Sequence, residues 1–162
     1  MTEKPAPPIK WTRHQGGEFA FDHPQAGRIV EIVHPDGSRV VRLVGLVGGQ
    51  PVQVDIERWR HATSAREACQ AIYACVEEAH RRESLAPAQV RVGSGEGWRC
   101  IRRLMDGASA HDYSDTTFVE TRAGLVRINM IAPPRVYPQA RMILEALLRS
   151  IEFVEPGPAS RA

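Results

Sequence analysis

Asp115 to Phe153, DTTFVETRAGLVRINMIAPPRVYPQARMILEALLRSIEF, carries two strand patterns, a tight turn, a proline stop and a helix pattern in one run. Thr116 to Thr121 and Leu125 to Ile131 are rich in β-branched and apolar residues, and Ala123-Gly124 between them is a hairpin signal. Pro133-Pro134 ends the second strand, because proline has no N–H to give to a sheet ladder. Pro138 suits the first turn of a helix, where the missing N–H would be unused anyway. Ala140, Ile143, Leu144, Leu147 and Ile151 then recur on one helical face, and Arg141, Glu145 and Arg149 step by four along another. The stretch predicts a β-hairpin with a helix to cover it.

Working outward, Phe19-Ala20-Phe21-Asp22 reads as a short strand ended by Pro24, with Phe19 and Phe21 on one face. Arg28 to His34 and Arg39 to Val47 are two more, joined by His34-Pro35-Asp36-Gly37, where proline presets φ and glycine accepts a positive one. After Gly48-Gly49-Gln50-Pro51, the alternation of Val52, Val54 and Ile56 with Gln53, Asp55 and Glu57 predicts a strand with one buried face. Phe19 to Glu57 is thus expected to be one β-meander. Ser64 and Glu67 make a capping-box pattern, opening a helix expected to reach Arg82. Its stripe is Ala65, Ala68, Cys69, Ile72, Val76 and Ala79, with Glu77–Arg81 and Glu78–Arg82 pairs outside. Gln89 to Val92 and Trp98 to Met105 add strands, and Asp106 to Ser114 is expected to be an exposed loop. The fold class is therefore α+β: an antiparallel sheet of six to seven strands packed by two main helices. The expected division is a Pro-rich leader over 1–10, a single domain over 11–154 and a tail over 155–162.

With 162 residues the chain suits one domain, and a formal net charge of +2 with basic and acidic residues interspersed speaks against a nucleic-acid face. No apolar run approaches the roughly 20 residues of a membrane span. Met1 to Pro8 lacks the apolar core of a secretory signal, so the expected location is the cytoplasm. The three cysteines do not make a disulfide framework. Cys69 and Cys75, six residues apart on a helix, point about 240° from one another. All three are expected to act as small core hydrophobes.

Gly93-Ser94-Gly95-Glu96-Gly97 lies before a strand rather than a helix, so it is a turn and not a phosphate cradle. His111, Asp112, Tyr113 and Asp115 are the densest polar group. An enzyme would need them to converge with His34 or His61, and no metal-ligand spacing accompanies them. No metal, cofactor or catalytic residue is assigned. Trp98 to Met105 alternates arginine onto both faces, which is unlike a plain core strand. The expected partner-binding surface is Trp98, Arg99, Ile101, Arg103 and Met105, with Arg127 and Met130 on the hairpin and Trp59.

The order of elements resembles the Mog1/PsbP-like fold, including the bacterial DUF1795 group. The resemblance rests on the aromatic strand Phe19-Ala20-Phe21-Asp22-His23-Pro24, the helix after a meander, the strands that follow, and the closing Leu148-Arg149-Ser150-Ile151-Glu152-Phe153. Ile151 stands where an aromatic is usual. It covers Trp11 to Val154. The resemblance implies non-enzymatic work on a partner protein: members act in photosystem assembly, as envelope lipoproteins, or as dimeric chaperones that hold apolar helices of secreted effectors against a concave sheet. No lipobox cysteine stands near Met1, which favours the chaperone expectation, with an effector and a second copy as the partners.

Overall fold

The computed structural model describes residues 8–62, 64–76, 81, 84–106 and 109–154. The described residues form ten strands and two helices in the order β1(Trp11–Gln15), β2(Phe19–Pro24), β3(Arg28–Val33), β4(Arg39–Val47), β5(Gln50–Trp59), α1(Ala65–Ala74), β6(Leu85–Val92), β7(Gly95–Asp106), β8(Ser109–Thr121), β9(Gly124–Ala132), α2(Tyr137–Ser150), β10(Glu152–Phe153). The main sheet has seven strands in the order β3-β4-β5-β9-β8-β7-β6, and a second, three-stranded sheet runs β1-β2-β10. All pairings are antiparallel. The expected α+β class holds.

The hairpin from which the sequence was read forms the centre. Phe118 opposes Arg127 and Val119 opposes Val126 across β8 and β9, and β9 pairs on its other side with β5. Gly124 closes the turn at φ 111°, a value only glycine adopts readily. Val126, Ile128, Met130 and Ala132 alternate onto one face, where Val54 and Ile56 of β5 meet Ala140, Leu144, Leu147 and Leu148 of α2. Phe19 and Phe21 join this core from the second sheet, and α2 packs across β2, β6 and β9. Pro138 sits in the first turn of α2 as expected. The turn between β6 and β7 is tied to the far end of α2: the Gly93 N–H donates to the Leu148 carbonyl at 2.7 Å. A Cβ on Gly93 would collide with the Ile151 carbonyl.

Three expectations need correction. The meander is β3 to β5 only, because β2 leaves it to pair with β1 and β10. Both Phe19 and Phe21 are buried, but so is Ala20 between them. The strand at Trp11, half-polar as TRHQ, gave no alternation to read. Helix α1 ends at Ala74, where the Cys75 N–H donates to the Ile72 carbonyl and the Val76 N–H to that of Tyr73, and Cys75, expected in the core, is exposed; Glu77, Glu78, His80 and Arg82 lie outside the described residues, as do 1–7 and 155–162. The segment taken for a loop is strand β8 from Ser109 onward, where the Ser114 hydroxyl donates to Asn129 of β9. The N-cap half of the capping box is present, with the Glu67 N–H donating to Ser64 Oγ at 3.1 Å.

Leu144 is fully buried between helix and sheet, whereas Met142 on the outer side of α2 is 70% exposed. Leu144→Ala is expected to cost roughly 2–5 kcal/mol in urea unfolding, and Met142→Ala less than about 0.5 kcal/mol.

Candidate functional site

Directly opposed residues in a sheet share a face, so the register assigns each side chain to one side. On the side of α2, Arg99 lies opposite Thr117, Asp115 lies between Met130 and Ile101, and Arg103 lies opposite Tyr113. Arg99 Nε and Nη2 donate to the two Asp115 oxygens at 2.7 and 2.6 Å, a bidentate pair with side chains 6% and 0% exposed. The Tyr137 hydroxyl, in the first turn of α2, donates to Asp115 Oδ2 at 2.7 Å. Glu145 lies 3.5 Å from Arg99 Nη1 and accepts from Arg141 at 3.0 Å. Tyr113 packs on Tyr137 at 4.6 Å between ring centroids, and Arg103 lies over Tyr113 at 4.8 Å. Burial alone would lower the Arg99 pKa, but its bonds to Asp115 and the charge there outweigh it and hold it above the ordinary value. Burial raises the Tyr137 phenol, and the Asp115 charge adds to the rise. These groups bind the helix to the sheet, and Arg99 and Asp115 at their centre are closed to solvent.

The other face is only partly covered. α1 lies over β6, β7 and β8, where Ala65, Ala68 and Cys69 meet Cys100, Phe118 and Leu125. Beyond α1 a polar row crosses the sheet from Val30 through Arg42, Asp55, Asn129 and Thr116 to Cys100. Arg42 Nε and Nη2 donate to Asp55 at 2.8 and 2.9 Å, and Gln53 Nε2 adds a third bond at 3.1 Å. Asn129 Oδ1 accepts from both Ser114 and Thr116 at 2.8 Å. The hydrogen bonds to Asp55 hold the Arg42 pKa above its usual range. On the next row Arg127 pairs with Glu57 at 2.8 Å and lies 4.3 Å over the Trp59 ring. Val30, Ile32 and Val44 are half-buried on this face and Leu46 is 75% exposed. Among the described residues, Arg102 Nε and Arg127 Nε, both on this face, are buried donors with no hydrogen-bond partner. Each such donor costs about 1–3 kcal/mol until something accepts from it.

The expected binding surface is therefore divided between two faces. Trp59, Trp98 and Arg127 lie on the α1 side, with Trp98 half-buried under Arg66 of α1 at 5.2 Å. Arg99, Ile101 and Arg103 lie on the α2 side with Met130, and Arg99, Ile101 and Met130 are at most 5% exposed. They are structural, because α2 closes that face. Met105 pairs in backbone register with Ala110 beyond a bulge. The His111 to Asp115 segment does not converge with the other histidines. His34 and His61 both line a cleft of about 320 Å³ between the β3–β4 turn and the end of β5, with Glu18, Asp36, Arg39, Glu57, Arg58 and Arg60. Neither His111 nor Asp115 reaches it. Among the described residues no group of three His, Cys, Asp or Glu side chains could hold a metal. The Arg42–Asp55–Asn129–Thr116 row went unread in the sequence, since its members fall on four strands; only alternation at Asp55 and Asn129 hinted at it.

Arg99→Met strands a buried carboxylate and is expected to cost about 3–5 kcal/mol in urea unfolding, most of it regained in Arg99→Met/Asp115→Leu. Tyr137 supplies a pH signature. Below about pH 10 the phenol is protonated in both folded and unfolded chain. Above that the unfolded chain ionises first, so the folded state loses stability as pH rises toward the raised native value. Denaturant titrations from pH 9 to 11 should show this fall in the wild type and a shallower one in Tyr137→Phe.

No family model matches the chain, and no curated protein matches it in sequence. Among solved structures it is similar to the solution structure of cyanobacterial PsbP (CyanoP) from Synechocystis sp. PCC 6803. The TM-score is 0.59 over 95% of this chain and 98% of that one, at 11% sequence identity. Likeness at that identity is a likeness of fold, and the chain has the PsbP-like fold.

Proposed function

We propose that this protein is a non-catalytic binding module whose partner is another protein, received on the sheet face that α1 leaves open. The observation that carries this reading is the set of partly exposed aliphatic side chains, Val30, Ile32, Val44 and Leu46, on the part of the face away from the strands β6, β7 and β8 that α1 packs on. An apolar segment of a partner would cover these aliphatic side chains. The Arg42–Asp55–Asn129 row is already satisfied internally, so it costs little to cover and fixes the shape of the floor. Mog1/PsbP-like chaperones that hold apolar helices of secreted effectors supply the partner class we favour, with a homodimer as the working assembly.

Val44→Glu/Leu46→Glu places two charges on this face at positions that are half-buried or exposed. The tagged variant should fold as the wild type does by circular dichroism, yet recover any specific partner from native lysate at a level reduced about tenfold or more. Met142→Glu, on the outer side of α2, should recover it normally. Equal recovery by all three proteins would reject this face. A second reading follows from the His34–His61 cleft, which brings three arginines, two histidines and three carboxylates around a space of small-ligand size. Thermal-shift screening of small anions against wild type and Arg60→Ala separates the two: stabilisation lost in Arg60→Ala assigns the cleft, and its absence leaves the protein partner.

A further inference from the structure

The main sheet ends in two edge strands, β3 and β6, and they are built differently. β6 contains Pro87, and its pairing with β7 is interrupted by a register shift between Leu85 and Ala88. Proline and bulges are devices by which natural sheets stop an edge from pairing further. β3 has neither. Its register with β4 is unbroken from Arg28 to Val33, and Ile29, Val30, Ile32 and Val33 are all β-branched. Among the described residues, no strand pairs with β3 on its outer side. The His34 N–H donates to the Ser38 carbonyl at 2.8 Å, closing the β3–β4 turn and setting the phase of the ladder. Backbone groups alternate in direction along an antiparallel strand. Val30 and Ile32 therefore bond toward β4, and the N–H and C=O of Ile29, Glu31 and Val33 point away from the sheet.

We propose that the outer edge of β3 receives an extended segment of another polypeptide as an additional antiparallel strand. The proposal rests on the protein-binding reading above and adds a backbone contact at the sheet edge to the side-chain contact on its face. The side chains of β3 define the chemistry of the segment. By alternation, Arg28, Val30 and Ile32 stand on the open face, and Ile29, Glu31 and Val33 on the α2 side. Arg28 is exposed and has no ion pair among the described residues. Glu31 pairs with Arg39 at 3.3 Å, both side chains more than half exposed, and Val33 is 60% exposed. The matching segment has an acidic residue opposite Arg28, a basic one opposite Glu31, and β-branched residues opposite Val30 and Ile32. Arg28, Val30 and Ile32 would stand in the non-hydrogen-bonded pairs, where opposed side chains come closest. The acid facing Arg28 is therefore the most discriminating contact.

A second copy of the chain fits this edge less well. Two β3 strands paired antiparallel about a two-fold axis oppose only residues that share a face. Arg28 and Glu31 stand on opposite faces, so a copy never sets one against the other. An axis at Glu31 opposes two carboxylates. An axis at Val30 sets Arg28 against Ile32 and Glu31 against Ile29, and an axis at Ile29 sets Arg28 against Val30. An axis at Ile32 or Val33 draws in Pro35, which has no N–H to give. A segment of different sequence is free of that symmetry and can answer both charges.

The test titrates the isotope-labelled full chain with a capped synthetic peptide, Thr-Val-Lys-Val-Ile-Asp, up to about 1 mM, and follows backbone amides by NMR. Its Asp falls opposite Arg28 and its Lys opposite Glu31 in the antiparallel pairing. The amides of Ile29, Glu31 and Val33 should shift and exchange with solvent about tenfold or more slowly, while those of β6 stay as they were. Replacing the terminal Asp of the peptide by Lys should weaken binding about threefold or more, and Arg28→Glu should reverse that preference. Glu31→Pro removes one outward N–H and no bond to β4, so it should abolish binding in a folded chain; Arg28→Glu keeps the test intact if Glu31→Pro does not fold. Equal binding of the two peptides, shifts confined to other elements, or a dimer by light scattering with the three amides protected before peptide is added would each overturn the proposal. No binding of either peptide, with partner recovery still lost in Val44→Glu/Leu46→Glu, overturns the edge and leaves the face standing.

Discussion

Among the described residues, two helices are too few to cover both sides of a seven-stranded sheet, and the arrangement of the two faces follows from that shortage. Strands about 4.8 Å apart make a sheet of seven roughly 29 Å wide. A ten-residue helix is about 15 Å long. Laid across the strands it spans about three of them, and α1 does lie over β6, β7 and β8. The opposite side is closed differently, by α2 together with the aromatic strand β2 of the second sheet. One face is therefore a complete core. The other is a core under α1 and a wetter surface beyond it, and the side chains change character at that boundary from Phe118, Cys100 and Leu125 to Asn129, Asp55 and Arg42.

Polar groups occur on both sides, but they solve different problems. Under α2, Asp115 is wholly buried and would be expensive alone; Arg99 and Tyr137 satisfy it, and in doing so they set the height of α2 along the sheet. A one-residue slip of β8 would turn Asp115 to the other face and break all three bonds at once. Beyond α1, by contrast, the hydrogen bonds given for the polar row involve no helix residue. Its bonds run from strand to strand, Arg42 to Asp55 and Ser114 and Thr116 to Asn129, so they hold the floor of the open face rigid without filling it.

What could be read from the sequence depended on how local its cause was. The β8–β9 hairpin, the proline stop and α2 were legible because their signals sit within a few residues of one another. The ends of β4, the turns at Gly37 and Gly48-Gly49 and the N-cap at Ser64 were legible for the same reason. His111 to Ser114 read as a loop because polar residues without alternation carry no strand period, and the partners that make them a strand lie on β7 and β9. Trp98 to Met105 was correctly singled out as unlike a core strand, yet its arginines were assigned to a surface. Arg99 faces a carboxylate sixteen residues away, and no pattern inside β7 announces that. The site residues failed where the assignment needed to know which helix covers which face.

That same question decides how α1 bears on binding. Its contact stripe is Ala65, Ala68 and Cys69, three small side chains that bury little apolar area each, at about 25 cal/mol per Å². A helix of this length is marginal by itself, so its hold on the sheet rests on that modest area and on Trp98, which Arg66 covers. α2 is longer, anchored by Leu144, Leu147 and Leu148 and bonded to Asp115 through Tyr137. Of the two helices, α1 is therefore the one whose position costs less to change. It also forms the wall of the open face nearest Arg102 and Arg127. A partner entering there meets a rigid floor and a wall that gives.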